Sequence, residues 1–235
     1  MTRTTAMVRE RLGLGDPFAE PPSADLPLDL QGWAGTDPLL LQAIDAVRPG
    51  LVVEVGSWKG QSAVFMAEHR RARGYDSAIL CIDTWLGSIE HLAREDLRPL
   101  LGLRHGRPTL YEQFHANVRA RGLEAWITPL PQTSQTAARY LAMRSVRADL
   151  VNLDGSHEYE DVLADLEAYW PLLRPGGLLV GGDFIPMFDG VRRACTRFAA
   201  RHGLAVQVAG VKFVLRKPAA PTVPLATAPP TAVPA

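Results

Sequence analysis

Two cysteines in 235 residues, Cys81 and Cys195, are too few for a disulfide framework, and their separation matches no zinc-ligand spacing. They read as buried thiols in a reducing cytoplasm. An excess of either charge is also missing: 25 Lys plus Arg balance 25 Asp plus Glu, which argues against a basic field for nucleic acid and against an acidic solvating tail. No run is long and apolar enough to span a bilayer. Residues 1–15 mix Arg3, Arg9, Glu10 and Arg11 into their apolar positions, so they lack the uninterrupted core of a signal peptide. What remains is a cytoplasmic chain with a small molecule as partner, no nucleic acid and no membrane. Its 47% hydrophobic content suits one well-cored α/β domain.

The stretch Leu51-Val52-Val53-Glu54-Val55-Gly56-Ser57-Trp58-Lys59-Gly60-Gln61-Ser62 organises the rest. Four apolar residues flank one acid, bounded by Pro49-Gly50 before and Gly56 after, as in a fully buried parallel strand. Gly56 and Gly60 allow a sharp turn that lets a ligand approach the amides at the start of the following helix. An acid at the end of such a strand is costly without a partner, which singles out Glu54.

Ahead of this stretch, the sequence predicts a short helix over 5–12 and a proline-broken strap over 15–29. A helix then opens with Asp37 as N-cap and Pro38 in first position, its stripe made by Leu39, Leu40, Ile44 and Val47. After Gly60 a helix to about Ala72 turns Val64, Phe65 and Ala67 inward and ends in Arg70, Arg71 and Arg73, read as a solvated end that complements the helix dipole.

A second strand over 77–83 again ends in an acid, Asp83. It lies 23 residues beyond Gly60, where nucleotide-binding α/β folds place the carboxylate that grips ribose hydroxyls. Residues 84–108 lose periodicity and form a long connection on the ligand side of the sheet, read as a lid or pocket wall.

The alternation continues with a helix over 111–122 that turns Phe114 and Val118 inward, a third strand over 126–130 shortened by Pro129, and a helix capped by Gln132-Thr133-Ser134. A fourth strand over 148–154 ends in Asp154. The helix after it carries Val162, Leu166, Tyr169 and Leu173 on one face and is expected to end at Pro175-Gly176-Gly177. A fifth strand reaches Asp183, and a helix over 190–202 and two short strands, 204–208 and 212–215, complete the fold. Residues 1–35 thus form an N-terminal helix and strap, 36–217 an α/β domain, and 218–235 an uncharged Pro/Ala-rich tail expected to be disordered.

Strands alternating with helices imply a doubly wound, mostly parallel sheet with ligands beyond the carboxyl ends of its strands. Glu54, Asp83, Asp154 and Asp183 end four predicted strands and should line one crevice. A dinucleotide site needs glycines at the first, third and sixth positions of the turn, but from Gly56 these fall on Trp58 and Gln61. No P-loop is present either. The turn instead suits a ligand without phosphates whose amino-acid end lies across it.

Here the sequence resembles the class I S-adenosylmethionine-dependent methyltransferases, whose first motif is an acid, one residue, Gly, three residues, Gly. Val53-Glu54-Val55-Gly56-Ser57-Trp58-Lys59-Gly60-Gln61-Ser62, Cys81-Ile82-Asp83-Thr84-Trp85-Leu86-Gly87-Ser88 and Asp154-Gly155-Ser156-His157-Glu158-Tyr159 are similar to one bacterial small-molecule branch. That branch, Methyltransferase 24-like, includes macrocin-type O-methyltransferases and cephalosporin-cluster enzymes. The resemblance covers about Leu51 to Phe184 and implies a Rossmann-like sheet of seven strands with helices on both faces.

By that resemblance, Glu54, Gly56, Ser57 and Gly60, with Trp58 and Ser62 on the same turn, hold the amino-acid part of S-adenosyl-L-methionine. Asp83 meets the ribose hydroxyls, Trp85, Gln132 and Thr133 the adenine, and Thr84 belongs to the same cofactor site. Asp154 joins the cofactor site and the catalytic group.

In such a reaction a substrate heteroatom attacks a sulfonium methyl, so the protein orients two partners and deprotonates a hydroxyl nucleophile. His157, just beyond the fourth strand at a helix start, is the candidate base, its pKa expected to be lowered by the positive end of the helix. A capping role competes with that reading. Relatives often bind a divalent metal at the ends of strands four and five, where Asp154 and Asp183 match in position and Mg2+ would suit their hard oxygens. Gly182 stands where many of them carry a second acid, so one expected ligand is missing. Tyr159 either shapes the pocket or packs.

The acceptor is read as a small-molecule hydroxyl, a sugar or secondary metabolite, chosen by residues 84–108 and the strap before Gln31. The N-terminal helix is a candidate surface for a homodimer. Two other classes stay open: a nicotinamide-dependent oxidoreductase on a similar sheet, and a noncatalytic S-adenosylmethionine-binding domain.

Overall fold

The structure, a computed structural model, describes residues 1–20 and 26–219. At its centre runs β1 (Leu51–Val55), all five residues buried, as its four apolar residues favour and with Glu54 buried among them. β2 (Ala78–Asp83) and β4 (Ala148–Leu153) pair with it in parallel on either side. β3 (Ile127–Pro131) lies beyond β2 and β5 (Leu173–Gly181) beyond β4. β7 (Lys212–Arg216) joins β5 antiparallel, and β6 (Gln207–Ala209) pairs with β7. The seven-stranded order is β3-β2-β1-β4-β5-β7-β6, so the winding direction reverses between β1 and β4, and the ligand crevice of such sheets opens there.

Helices cover both faces. Against one lie α2 (Pro38–Val47), α3 (Gln61–Ala72) and α5 (Leu110–Ala120), which contribute Leu40, Ile44, Val64, Ala67, Phe114 and Val118 to one apolar cluster with Val52. Against the other lie α1 (Arg3–Arg11), α6 (Ser134–Met143), α7 (Tyr159–Tyr169) and α8 (Asp189–His202), packed on Val53 and Val55. Successive residues of β1 thus feed opposite layers. Asp37 caps α2 as expected, its carboxylate accepting the Leu39 amide at 2.8 Å with Pro38 next in line. The prolines of β3 are tolerated because that strand is an edge.

Three expectations are corrected. Arg70 is not part of a solvated helix end: it is fully buried, its guanidinium donating to the Ser77 hydroxyl and the Pro49 carbonyl, while Arg71 and Arg73 stay in solvent. The end of α3 meets the starts of β1 and β2, and their loops present acceptors that only a long donor reaches. Leu173 does not continue α7. The helix ends at Tyr169, a 3-10 turn over Trp170–Leu172 follows, and Leu173 pairs with Ala148 at the start of β5. Pro175-Gly176-Gly177 lies inside β5 at a register shift, so it interrupts a ladder instead of ending a helix.

The N-terminal helix docks on its own chain. Val8 and Leu12 enter the core, and Arg9 donates to the Thr128 hydroxyl at 3.0 Å and to the Glu124 and Ile127 carbonyls. Residues 84–108 carry a short helix, α4 (Ile89–Ala93), and a 3-10 turn over Arg98–Leu101, with Leu86, Ile89 and Leu92 exposed. The expected tail from 220 onward and strap residues 21–25 lie outside the described residues. No described helix is long and apolar enough to cross a membrane.

Candidate active site

β1 ends in the turn 56–60, and Glu54 lies beneath it. Its carboxylate is fully buried and accepts the Ser57 and Ser62 hydroxyls, each at 2.7 Å, with the Asn152 amide at 3.3 Å. Glu54 therefore does not line the crevice with the other three acids; it ties the start of α3 to the strand from below. Burial pushes its carboxyl up, against the two serine hydroxyls that favour the ionised form. Gly56 adopts φ 83°, and a β-carbon there would collide with the Asp154 carbonyl, so only glycine lets β1 and β4 close on each other at this point.

Asp83 faces the same turn from β2. One carboxylate oxygen accepts the Trp58 amide at 2.8 Å and the other the Trp85 amide at 2.7 Å, leaving the group aimed and partly exposed. Burial raises its pKa, opposed by these main-chain donors. Trp58 sits in the left-handed region at φ 49°, an uncommon conformation for a bulky residue that marks a functional or strained position. Its ring stacks on His91 of α4 at 4.4 Å between centroids, with Trp33 alongside.

Trp85, expected against adenine, is only 2% exposed. Its ring packs on Tyr111 and Phe114 and its indole donates to the Trp58 carbonyl at 2.7 Å, so it braces the turn from the core. Gln132 and Thr133 are exposed beside Asp83, the Gln132 amide donating to the Asp83 carbonyl and Thr133 capping α6. Thr84 is half-buried and accepts the Leu86 amide.

The strap folds over the turn. Gln31 accepts the Trp58 indole at 3.1 Å, Asp29 pairs with Lys59 at 2.6 Å, and the Gly35 amide donates to the Gln61 side chain at 3.1 Å. These clasps connect residues about thirty apart, so no local pattern announces them.

Across the crevice Asp154 meets Lys212 and Asp183 meets His157. Asp154 Oδ2 lies 3.4 Å from Nζ of Lys212, which opens β7 and is fully buried. Burial raises the Asp154 pKa; Lys212 opposes the rise and Asp183 adds to it. Asp183 Oδ2 lies 3.1 Å from His157 Nε2, and Glu90 of α4 reaches His157 Nδ1 at 3.1 Å. The imidazole stacks on Phe188 at 3.9 Å.

The expected lowering of the His157 pKa is reversed. Burial does lower it, but hydrogen bonds and charge from Asp183 and Glu90 outweigh burial, and the net shift is upward. The helix-end effect loses because two full carboxylates lie closer than the partial charge of the helix start. Glu90 and Lys212 were missed in the sequence. Glu90 looks like any lid acid, whereas a lysine opening an otherwise apolar strand was a readable sign. A cavity of about 470 Å3 adjoins His157, lined by Glu90, Tyr159, Phe188, Asp189 and Arg193 among others.

The donor set does not fit a divalent metal. Asp154 is engaged with Lys212 and Asp183 with His157, Gly182 supplies no ligand, and no group of three or more His, Cys, Asp or Glu is arranged to hold a metal ion among the described residues. Magnesium requires near-octahedral oxygen coordination, which this pairing does not offer.

The strand order, the glycine turn at the switch point and the aimed acid of β2 define a Rossmann-like enzyme of the class I methyltransferase type. The family model described as Methyltransferase domain (Methyltransf_24) matches residues 53–184, more than half of the chain, and the chain belongs to that family. It is an S-adenosylmethionine-dependent methyltransferase, which removes the nicotinamide alternative. No curated protein matches the sequence.

Among solved structures, the O-methyltransferase NovP is similar over 77% of this chain and 78% of its own, with 20% identity and a TM-score of 0.57. The calicheamicin methyltransferase CalS11 covers 91% of both chains with 22% identity and a TM-score of 0.53. An O-methyltransferase from Bacillus cereus in complex with SAH covers 92% of this chain and 90% of its own, with 16% identity and a TM-score of 0.54. At these identities the likeness establishes the fold. The residues present fit the cofactor, because the turn offers main chain without a side chain at Gly56 and Gly60, and Asp83 is held open to hydroxyl donors.

Proposed function

We propose that this methyltransferase acts on a hydroxyl of a small molecule, a sugar or a secondary metabolite, with His157 as general base. The observation that carries the reading is the Asp183–His157 pair, whose imidazole edge adjoins the 470 Å3 cavity. The cavity combines the aromatic side chains of Phe188 and Tyr159 with hydrogen-bonding groups from Glu90, Asp189 and Arg193, a mixture that suits a polyhydroxylated ring. A structural neighbour, described as a TDP-rhamnose 3'-O-methyltransferase, methylates a sugar, which supports the same acceptor class.

When bound, S-adenosylmethionine supplies an electrophilic methyl on a sulfonium. The chain's own residues do the rest by orienting two partners and moving one proton. Asp183 accepts from Nε2 and fixes the ring, so Nδ1 is the nitrogen that takes the acceptor proton once Glu90 gives way to the hydroxyl. The raised pKa of His157 favours retention of that proton after transfer. Glu54, Ser57 and Ser62 hold the turn, and Asp83 holds the ribose hydroxyls.

The test is incubation with S-adenosylmethionine and a panel of nucleotide sugars, free glycosides and hydroxylated aromatic metabolites, read by mass spectrometry as gain of one methyl. Product from a sugar or metabolite hydroxyl, lost in His157→Gln while cofactor affinity is kept, is expected. A His157→Gln enzyme with unchanged turnover would remove the base from this account.

A further inference from the structure

We infer that Lys212 is the resident cation of this site: its ammonium holds the strand-end carboxylate of Asp154 that a divalent ion would need as a ligand, and methyl transfer by this chain needs no metal. The inference deepens the methyltransferase reading and rests on it. Lys212 lies one residue before Phe213, which pairs with Gly181, so β7 delivers the lysine beside the end of β5 where Gly182 and Asp183 emerge. A fully buried lysine is rare unless paired, and here the ion-pair partner is Asp154.

Gly182 makes the pairing possible. A β-carbon at that position would collide with Asp154 Oδ1 and lie 2.8 Å from Asp154 Cγ. The Asp154 carboxylate thus occupies the space that a side chain at 182 would need. A second acid at 182 and an Asp154 turned onto Lys212 are mutually exclusive, so the missing acid and the buried lysine are two halves of one arrangement. Asp183, the other strand-end acid, is committed to His157.

A fixed ammonium differs from a metal in what it offers. It compensates the Asp154 carboxylate, but it has no open coordination position for a hydroxyl. Proton removal then falls to a side chain, and His157 is in place. Lys212 is a positioning residue, acting through Asp154.

Mn2+ titrated into the full chain provides the test, followed by calorimetry and by the thermal midpoint, with S-adenosylmethionine titrated in parallel. Wild type is expected to show no Mn2+ heat, no midpoint shift, and activity unaffected by a chelator. In Lys212→Ala the freed carboxylates should gain Mn2+-dependent stabilisation. Lys212→Met and Asp154→Asn should each lower the midpoint, and the double variant should lose less than the two single losses combined.

Mn2+ binding to wild type that disappears in Asp154→Asn overturns the inference without requiring any variant of Lys212. Additive losses in Lys212→Met and Asp154→Asn overturn it as well. Absence of S-adenosylmethionine binding in wild type would instead strike at the underlying enzyme reading and leave the Lys212–Asp154 coupling measurable.

Discussion

Glu90 and His157, 67 residues apart in the chain, meet at 3.1 Å and join the lid helix to the loop behind the fourth strand. On its other side the same imidazole meets Asp183 at 3.1 Å, so both ring nitrogens face carboxylates. Both carboxylates favour the protonated ring, which must lose its proton before it works as a base.

A pH dependence follows. Activity should rise with pH through an ionisation above the ordinary imidazole value of about 6.5, since Asp183 and Glu90 raise His157. Asp183→Asn removes one carboxylate, so the rising limb should move to lower pH while kcat falls. A limb that stays in place would dissociate His157 from the profile.

The lid contact has its own window. Burial pushes Glu90 up, but hydrogen bonds from Ser88 and its own amide together with His157 bring it below the usual carboxylate value. A depressed acid contributes above its unfolded pKa and is lost as pH falls through the folded one. A raised histidine contributes below its unfolded pKa and is lost as pH rises through the folded one. The Glu90–His157 pair therefore holds between the two and fails on the alkaline side as His157 deprotonates. The other charged groups facing the ring are Asp183, Asp154 and the neighbouring His91. Hydrogen exchange over residues 89–101, corrected for intrinsic rates, should quicken roughly two- to fivefold across that ionisation, the span of a partly exposed ion pair. Glu90→Gln should show the fast rate at every pH.

Much of the fold was legible because β1 to β5 are short, mostly apolar segments and their helices carry one-sided stripes. Asp83, Asp154 and Asp183 were legible as acids gathered at the carboxyl ends of the strands, because an acid at the end of a buried strand has few bland explanations. Glu54 carried the same signal yet serves the turn from beneath, since burial depth depends on where the strand stops relative to the helix start. Arg70 was misread because a basic residue at a helix end looks the same whether or not a neighbouring loop supplies acceptors. The strap clasps and the Glu90–His157 contact arise only when distant segments meet, so no local periodicity encodes them.

Arg70 gives a stability prediction. Its guanidinium serves a hydroxyl and a carbonyl at the junction of α3, β1 and β2. Arg70→Ala strands both acceptors and leaves the volume of a long side chain unfilled, a loss of about 2–4 kcal/mol. Arg70→Lys restores the charge but not the forked geometry and should recover only part of it. Urea denaturation of the three proteins checks the ranking; an Arg70→Ala midpoint equal to wild type would show that the contact contributes nothing net.

Asp83 is expected to set cofactor affinity through two routes. Its oxygens order the Trp58 and Trp85 amides, which set the left-handed Trp58 and hence the shape of the turn, and under the proposed function the same carboxylate meets the ribose hydroxyls. Asp83→Asn keeps the size but turns one acceptor into a donor aimed at an amide, so it should disturb the turn as well as the ribose contact. A charge-assisted hydrogen bond contributes about 1.5–3 kcal/mol, so S-adenosylmethionine affinity should fall on the order of 10- to 100-fold. Because Trp58 stacks on His91, the same substitution should shift tryptophan emission in the absence of cofactor. Calorimetry then separates the routes: an affinity loss with unchanged emission assigns Asp83 to the ribose alone, whereas both changes together show that it builds the turn as well.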